Sequence, residues 1–126
     1  MSGVVAATGV VSVTPAARLL GRLRVPGDKS VTHRALLLAG MAAGRSRIAD
    51  ASDALDPNST AACLRALGVS VEKRVDEDGF AAWTVSSPGV EGWRAPSGAL
   101  DCGNSGTTLR LLAGIQIGRA SCRERV

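Results

Sequence analysis

Two stretches of the chain share one order of residue types, and this shared order constrains the fold more than any other feature of the sequence. They are PGDKSVTHRALLLAG at residues 26–40 and CGNSGTTLRLLAG at residues 102–114. In each stretch a turn containing glycine is followed by small polar residues, an arginine, and a run of leucine and alanine. Small polar residues directly before an apolar run are typical of a helix N-terminus. The sequence therefore predicts two turn-to-helix units of the same kind.

Turn residues and alternating apolar positions predict further strands and helices along the rest of the chain. Strands are predicted at residues 9–15, 19–27, 46–52, 69–75 and 80–87, with a hairpin turn at 76–79 between the last two of these. A further short strand is predicted directly before the glycine-rich turn at 103–106. Helices are predicted at 30–44, at 56–68, and after the glycine-rich turn at 103–106. Because strands and helices alternate and one hairpin occurs late in the unit, the predicted fold class is α/β or α+β.

Helix ends are predicted from small polar residues and glycines. The apolar run at 35–41 extends nearly all round the first helix, which is therefore expected to be buried on most sides. The predicted N-terminal residues are Ser30 or Thr32 as cap of the first helix, Asp56 as cap and Pro57 as first residue of the second, and Thr107 with Thr108 as caps of the third. Gly44 and Gly68 fit the C′ positions of the first two helices.

The composition limits the class of protein. The chain has 126 residues, of which 45% are hydrophobic and 21% charged, and this predicts one ordered domain. The formal net charge is +4, but the charged residues are scattered and aromatic residues amount to only 2%, so no nucleic-acid interface is expected. No apolar run is long enough to span a bilayer, so no membrane contact is expected either.

The cysteines indicate a reducing, cytoplasmic setting. Cys63, Cys102 and Cys122 are widely spaced, form no C-x-x-C pair and have no histidine nearby, so no metal site is expected. Residues 1–15 lack the basic region of a signal peptide. An odd number of cysteines without such a signal fits a compartment in which thiols stay reduced.

The first turn-to-helix unit carries groups that hold anions. Unpaired backbone N–H groups at a helix start favour an anion. Lys29 adds a point charge, Ser30 a hydroxyl donor, and Arg34, one turn further on, a guanidinium that can bind phosphate or carboxylate with two hydrogen bonds. The alternative is ordinary helix capping with a solvated lysine and arginine. The unit is not a Walker A loop, because Asp28 precedes Lys29 where that motif has glycine.

The second unit has the same character. Asn104 offers an amide, Gly106 allows a ligand to approach the backbone, and Thr107 offers a hydroxyl. The alternative is a plain strand-to-helix turn. Taken together, the two units predict an anionic ligand held between two helix starts.

Other titratable residues are interpreted as structural. His33, the only histidine, is expected to be a helix-start residue hydrogen-bonded to a neighbour, since no Ser-His-Asp arrangement is visible. The acidic residues are read as strand and cap residues or as a solvated turn: Asp50, Asp53 and Asp56, and Asp76, Glu77 and Asp78.

The stretches VPGDKSVTHRALLLAGMAAGRSRI and DCGNSGTTLRLLAG, with D...TAACLRALGV between them, resemble the enolpyruvyl transferases of the EPSP synthase family. The resemblance extends from about residue 20 to residue 114 and is looser at 71–98. It implies an active site in the cleft between two domains built from βαβαββ repeats. This chain would hold one repeat and the beginning of another, a partial enolpyruvyl-transferase-like domain.

The resemblance also implies a reaction. The enolpyruvyl group of phosphoenolpyruvate is transferred to the 5-hydroxyl of shikimate 3-phosphate, and phosphate leaves by addition–elimination without a metal or organic cofactor. The full-length enzyme is expected to be a monomer. By position, the implied residues are Lys29, Ser30 and Arg34 for shikimate 3-phosphate, and Lys29, Asn104, Gly106 and Thr107 for phosphoenolpyruvate, with Lys29 also a candidate for proton movement.

Two alternatives remain open. A sister family transfers enolpyruvyl to UDP-N-acetylglucosamine, but it typically has Lys-Asn where this chain has Lys29-Ser30. A non-catalytic anion-binding module is the other. The chain also departs from the pattern of the EPSP synthase family at Pro57, where that family commonly has threonine.

The last residues are expected not to belong to the natural protein. IGRASCRERV at 117–126 reads as a translated sequencing adapter, so residues 1–116 are expected to be an N-terminal fragment. Such a fragment is expected to be inactive and only marginally folded, because a partial domain buries little apolar area against the chain entropy.

Overall fold

The computed structural model describes residues 12–117. It contains three helices, three strands and a short 3₁₀ turn at Val90–Gly92. The helices are α1 (Lys29–Met41), α2 (Leu55–Ala66) and α3 (Gly106–Gln116), and the strands are β1 (Ala43–Ala51), β2 (Ser70–Val75) and β3 (Ala81–Pro88). The predicted mixture of helices and strands is confirmed.

The three strands form one antiparallel sheet in the order β1-β3-β2. Val85 on β3 lies opposite Ser46 on β1 and Val71 on β2. Alternate residues of β3 are buried because successive side chains of a strand point to opposite faces. The sheet therefore has one face covered by the helices and one face open to solvent.

The core lies between that covered face and helices α1 and α2. Trp83 on β3, Leu36 on α1 and Leu64 on α2 are each at most 1% exposed. A second tryptophan, Trp93, donates from its indole Nε1 to the carbonyl oxygen of Gly40 at 2.9 Å. The core is built mainly of alanine, valine and leucine, as the low aromatic content predicts, and it also contains two tryptophans.

The hairpin between β2 and β3 forms where it was predicted. The amide of Gly79 donates to the carbonyl oxygen of Asp76 at 3.0 Å, and the amide of Phe80 donates to the Asp76 carboxylate at 2.7 Å. Gly79 has a φ of 83°, a conformation that glycine adopts without strain.

The predicted strand at 19–27 is wrong. Residues 12–27 contain no strand, and within the described chain they make no backbone–backbone hydrogen bond. A strand requires a partner, and the apolar residues Leu19, Leu20 and Leu23 are instead about 80 to 90% exposed. The segment is held by Arg24, which pairs with Asp50 and Asp76. Of the strand predicted at 9–15, residues 12–15 are not a strand and 9–11 lie outside the described residues. The short strand predicted before the turn at 103–106 is also wrong, since residues 99–102 contain no strand.

The predicted cap of α1 is wrong. Asp28 caps the helix, its carboxylate accepting from the amide of Val31 at 2.7 Å, so neither Ser30 nor Thr32 is the cap. Thr32 is already inside the helix, where its hydroxyl donates to the carbonyl oxygen of Asp28 at 2.8 Å. Gly44 does not occupy the C′ position, because α1 ends at Met41 and Gly44 belongs to β1.

The other predicted helix starts also shift. Helix α2 begins at Leu55 after Ala54, which makes no side-chain cap bond, so Asp56 and Pro57 lie inside the first turn. Ser105 caps α3, its hydroxyl accepting from the amide of Thr108 at 3.1 Å, and Thr107 and Thr108 are helical residues. The prediction for Gly68 is confirmed: it follows the C-cap of α2 with a φ of 91°.

Helix α1 is buried on its inner face only. Val31 and Leu38 are 59% and 65% exposed, and Arg34 lies on the same face. The expectation of burial on most sides therefore needs correction, because nothing in residues 12–117 covers this outer face. No helix in the described part of the chain is long and apolar enough to cross a bilayer.

Gly27 permits a close approach of the segment before α1 to strand β1. A Cβ at Gly27 would collide with the carbonyl oxygen of Asp50 and would lie 2.6 Å from the carbonyl carbon of Ala51. Backbone atoms cannot move aside as a flexible side chain can. The entry of the chain into α1 therefore depends on glycine at this position.

We expect Gly27→Ala to lower the free energy of unfolding by about 2 kcal/mol, because the added methyl group overpacks a backbone contact. Urea denaturation of the 126-residue chain measures the effect. Gly98→Ala is the matched control, since no atom lies within 4 Å of a Cβ at Gly98. If Gly27→Ala and Gly98→Ala had the same free energy of unfolding, the close backbone contact at Gly27 would be contradicted.

Candidate functional site

The N-terminus of α1 carries the first set of predicted site residues. Lys29 and Ser30 are exposed on its first turn, and Arg34 is exposed one turn further on. The Nζ atom of Lys29 lies 2.9 Å from a carboxylate oxygen of Asp56. Arg34 forms no ion pair with any residue in the range 12–117. One of the two cations is thus engaged, and the other is free to meet a ligand.

Asp56 is a site residue that the sequence analysis missed. It lies in the first turn of α2, so its ion pair with Lys29 joins the N-termini of α1 and α2. The hydrogen bond from Lys29 holds the pKa of the Asp56 carboxyl below its ordinary value, so the carboxylate is charged at neutral pH. No sequence spacing gives this contact, because the two residues are 27 positions apart.

The N-terminus of α3 carries the second set. Asn104 and Gly106 are exposed, Thr107 is half-buried, and Ser105 is buried as the helix cap. No atom lies within 4 Å of a Cβ built at Gly106. Packing inside the described chain therefore does not require glycine at this position, and the backbone around it is open to a ligand.

A buried hydrogen-bond chain connects the three helices. His33 Nδ1 lies 2.7 Å from Thr60 Oγ1, which lies 2.8 Å from Thr108 Oγ1. The Thr108 hydroxyl in turn donates to Ser105 Oγ at 2.8 Å. His33 is hydrogen-bonded, as the sequence predicted, but its partner is Thr60 on α2 and not a residue of its own helix start. No sequence signal identified Thr60 or Thr108 as members of a network.

The predicted site residues of α1 and those of α3 lie at neighbouring helix N-termini, but the two sets make no direct hydrogen bond with each other. His33 precedes Arg34, and Ser105 lies between Asn104 and Gly106, so the buried chain ends beside each set. Helix N-termini carry partial positive charge, and the three N-termini reinforce Lys29 and Arg34. This end of the molecule is suited to anions that bear phosphate or carboxylate groups.

Burial of His33 affects how stability depends on pH. The ring is 0% exposed, and burial lowers its pKa below the ordinary value of 6.5, an effect that the charge of Asp56 opposes and the charge of Lys29 reinforces. The unfolded chain therefore binds the proton more tightly than the folded chain, and protonation favours unfolding.

We expect the free energy of unfolding to be highest above the unfolded-state pKa and to fall as the pH is lowered from about 7.5 to about 5.5. Urea denaturation across this range measures the slope, which His33→Asn should flatten. The pKa values of the Asp56 and Asp76 carboxyls are lowered below 3.8. These two groups therefore stop contributing to the free energy of unfolding only at a pH below the range in which His33 titrates. A slope that persists in His33→Asn would contradict this assignment.

A second polar region lies on the open face of the sheet. It is a cavity of about 500 Å³ in which basic and acidic side chains alternate, and none of the predicted site residues lines it. One of its cations, Arg24, is already paired with Asp50 and Asp76 and stacks on the ring of Phe80 at 3.6 Å. The mixed charge makes this face a poorer anion site than the helix N-termini.

The described residues contain no group of three or more His, Cys, Asp and Glu side chains that could hold a metal ion. Cys63 and Cys102 are free thiols, and burial raises the pKa of Cys63 to about 12. Cys122 and residues 118–126, on which the expectation of an artefactual tail rests, lie outside the described residues.

The fold and the site define a mixed α/β unit that gathers three helix N-termini and two cations at one end. The family model for EPSP synthase (3-phosphoshikimate 1-carboxyvinyltransferase) matches residues 13–123. The chain belongs to the EPSP synthase family, and the resemblance inferred from its two motifs is confirmed.

Relatives and solved structures agree with this assignment. The chain is 50% identical over 101 residues to the 3-phosphoshikimate 1-carboxyvinyltransferase of Synechococcus sp. strain CC9605, covering 80% of this chain and 22% of that protein. It is also 50% identical over 101 residues to that of Acidiphilium cryptum strain JF-5, with the same coverage. A structure of EPSP synthase from Acinetobacter baumannii matches with a TM-score of 0.66 at 38% identity, covering 75% of this chain and 20% of that one. The chain spans about a fifth of the length of these relatives.

Proposed function

We propose that the protein transfers the enolpyruvyl group of phosphoenolpyruvate to the 5-hydroxyl of shikimate 3-phosphate, releasing phosphate, as a step in making aromatic amino acids. In this proposal the present chain contributes one part of the substrate site. The observation that carries it is the grouping of Lys29, Arg34 and the α3 N-terminus at one end of a unit from the EPSP synthase family.

The roles of the first set follow from charge and geometry. Shikimate 3-phosphate carries a phosphate, for which the hydroxyl of Ser30 and the unpaired guanidinium of Arg34 are suitable donors. Both groups lie on the exposed first turns of α1. We assign them to binding of shikimate 3-phosphate.

The second set faces phosphoenolpyruvate in this proposal. The amide of Asn104, the open backbone at Gly106 and the hydroxyl of Thr107 offer neutral donors at a helix N-terminus. Lys29 contacts both substrates and offsets the negative charge of the tetrahedral adduct formed when the 5-hydroxyl adds to the enol carbon. Its present partner Asp56 must then share the ammonium group with substrate, so Asp56 belongs to the proposed site.

The proposal includes no metal or organic cofactor. It places the protein in a reducing compartment, the cytoplasm, which the free thiols of Cys63 and Cys102 support. The full-length enzyme is proposed to act as a monomer.

A chimera tests the proposal, because this chain spans only part of its relatives. In the chimera, the aligned residues of this chain replace the matched segment of the Synechococcus sp. strain CC9605 protein. We expect phosphate release that requires both phosphoenolpyruvate and shikimate 3-phosphate. Release with UDP-N-acetylglucosamine as acceptor would favour the sister family. A folded chimera that binds phosphate compounds without turnover would favour an anion-binding module.

A further inference from the structure

The hydrogen bond at the α3 end sets the direction of the buried hydrogen-bond chain that joins the three helices. A serine or threonine hydroxyl has one hydrogen to donate. The Thr108 hydroxyl uses its hydrogen on Ser105 Oγ, so it must accept from the Thr60 hydroxyl. Thr60 has then used its own hydrogen and must accept from His33 Nδ1. The proton of the neutral His33 ring is therefore on Nδ1.

The other ring nitrogen of His33 supports the same assignment. Nε2 is buried and has no hydrogen-bond partner in the described part of the chain. A proton on Nε2 would be a buried donor without an acceptor, which costs more than a bare lone pair. The charged groups that act on the ring are Lys29 of its own helix and Asp56 of α2. The ring is thus neutral and its hydrogen is committed to Thr60.

The two ends of the buried hydrogen-bond chain, His33 and Ser105, lie next to the two halves of the proposed substrate site. His33 is the residue before Arg34, and Ser105 is flanked by Asn104 and Gly106. Ser105 Oγ also accepts from the amide of Thr108, so the same oxygen caps α3 and ends the chain. Each link crosses from one helix to another, except the last, which fixes the first turn of α3.

We propose that the ordered chain His33–Thr60–Thr108–Ser105 is a positioning device that fixes the N-terminus of α3 relative to α1. The proposal deepens the proposed function, on which it rests for the identity of the ligands. Thr60 and Thr108 are positioning residues: they set where Asn104 and Gly106 stand with respect to Arg34. Three hydrogen bonds with one common direction define a single arrangement of the three helices. Apolar contacts alone are not directional and would allow more than one arrangement of the three helices.

The tautomer of His33 is the first test, since it is the only histidine in the 126-residue chain. Long-range ¹⁵N–¹H spectra report which ring nitrogen carries the proton. We expect Nδ1–H in the wild type. In Thr108→Val the Thr60 hydroxyl loses its acceptor and can donate to the ring, so the population should shift towards Nε2–H. An Nε2–H ring in the wild type, or no change in Thr108→Val, would overturn the proposal. A purely packing role for Thr108 predicts no change.

Kinetics of the chimera provide the second test. Thr60→Val and Thr108→Val keep the side-chain shape and remove the hydroxyl, and we expect each to lower kcat/KM about 10-fold or more through misplaced substrate contacts. Thr60→Ser and Thr108→Ser keep the hydroxyl and should recover most of the activity. Thr84→Val, on the open face of the sheet, is the matched control. Unchanged kinetics in both valine variants would overturn the positioning role.

The two tests separate failure of this proposal from failure of the proposed function. The tautomer is measured without any substrate, so it stands even if the chimera is inactive. If the 126-residue chain gives no dispersed spectrum, the chimera replaces it, and His33→Gln identifies the imidazole signal by difference. An active chimera with the wrong tautomer contradicts only the positioning device. An inactive chimera with the expected tautomer contradicts only the transferase.

Discussion

Replacing Lys29 by methionine should lower kcat/KM of the chimera by about 100-fold to 1000-fold, the usual cost of losing one group that stabilises charge in a transition state. Both proposed substrates are anionic, and Lys29 is the cation placed between the N-termini of α1 and α2. Methionine preserves most of the side-chain length and removes only the charge. Steady-state phosphate release with each substrate varied in turn measures the loss.

The chain contains a matched control for this variant. Its only other lysine, Lys73 on β2, pairs with Asp53 and lies over the ring of Trp83, and its Nζ is 3.4 Å from Asn58 Oδ1 at the start of α2. None of these three partners belongs to the proposed substrate site. Lys73→Met should leave kcat/KM nearly unchanged, since Lys73 contacts no residue of the proposed substrate site. Lys29→Arg should recover only part of the activity, because a planar guanidinium does not reproduce a compact ammonium. Equal kinetics of Lys29→Met and Lys73→Met would contradict the role of Lys29.

Replacing Trp83 by alanine should lower the free energy of unfolding by about 4 kcal/mol, a cost typical of truncating a buried aromatic residue. Trp83 is 1% exposed on the central strand, where Ile48 of β1 and Lys73 of β2 lie opposite it. Its removal opens a cavity beneath both neighbouring strands. Urea denaturation of the chimera, followed by circular dichroism, should show a lower midpoint for Trp83→Ala than for the wild-type sequence.

Trp83→Phe separates packing from hydrogen bonding. The indole Nε1 of Trp83 is buried and has no hydrogen-bond partner in residues 12–117. Phenylalanine removes that donor without stranding an acceptor, so it should cost much less than alanine. A midpoint for Trp83→Ala equal to that of the wild type would show that the sheet does not depend on this side chain.

The parts of the fold that follow local rules were predictable from sequence. The hairpin turn at 76–79 and the C′ glycine Gly68 depend on the backbone freedom of residues in the turn itself. The apolar run of α1 likewise predicted the helix itself, although the expected burial on most sides was wrong. In each case the signal and the structure it specifies lie within a few residues of each other.

The incorrect predictions concern features that depend on contacts with other residues, namely strand pairing and helix capping. Residues 19–27 have the residue pattern of a strand, but no strand of the described sheet pairs with them. The cap of α1 was misplaced because Asp28, Ser30 and Thr32 can all cap a helix, and only the actual turn decides that Asp28 reaches the amide of Val31.

The candidate site was predicted in part. The residue types at Lys29, Arg34, Asn104 and Gly106 suggested anion binding because their chemistry is legible in sequence. The ion pair of Lys29 with Asp56, 27 residues away, and the bond between Thr60 and Thr108, 48 residues apart, arise only when the helices pack. No local pattern could have indicated either contact.

A crystal structure of the chimera with shikimate 3-phosphate would test the central claim most directly. We expect the ligand at the N-terminus of α1, with its oxygens within hydrogen-bonding distance of Lys29, Ser30 and Arg34. Binding on the open face of the sheet, or elsewhere with these three side chains out of reach, would contradict it.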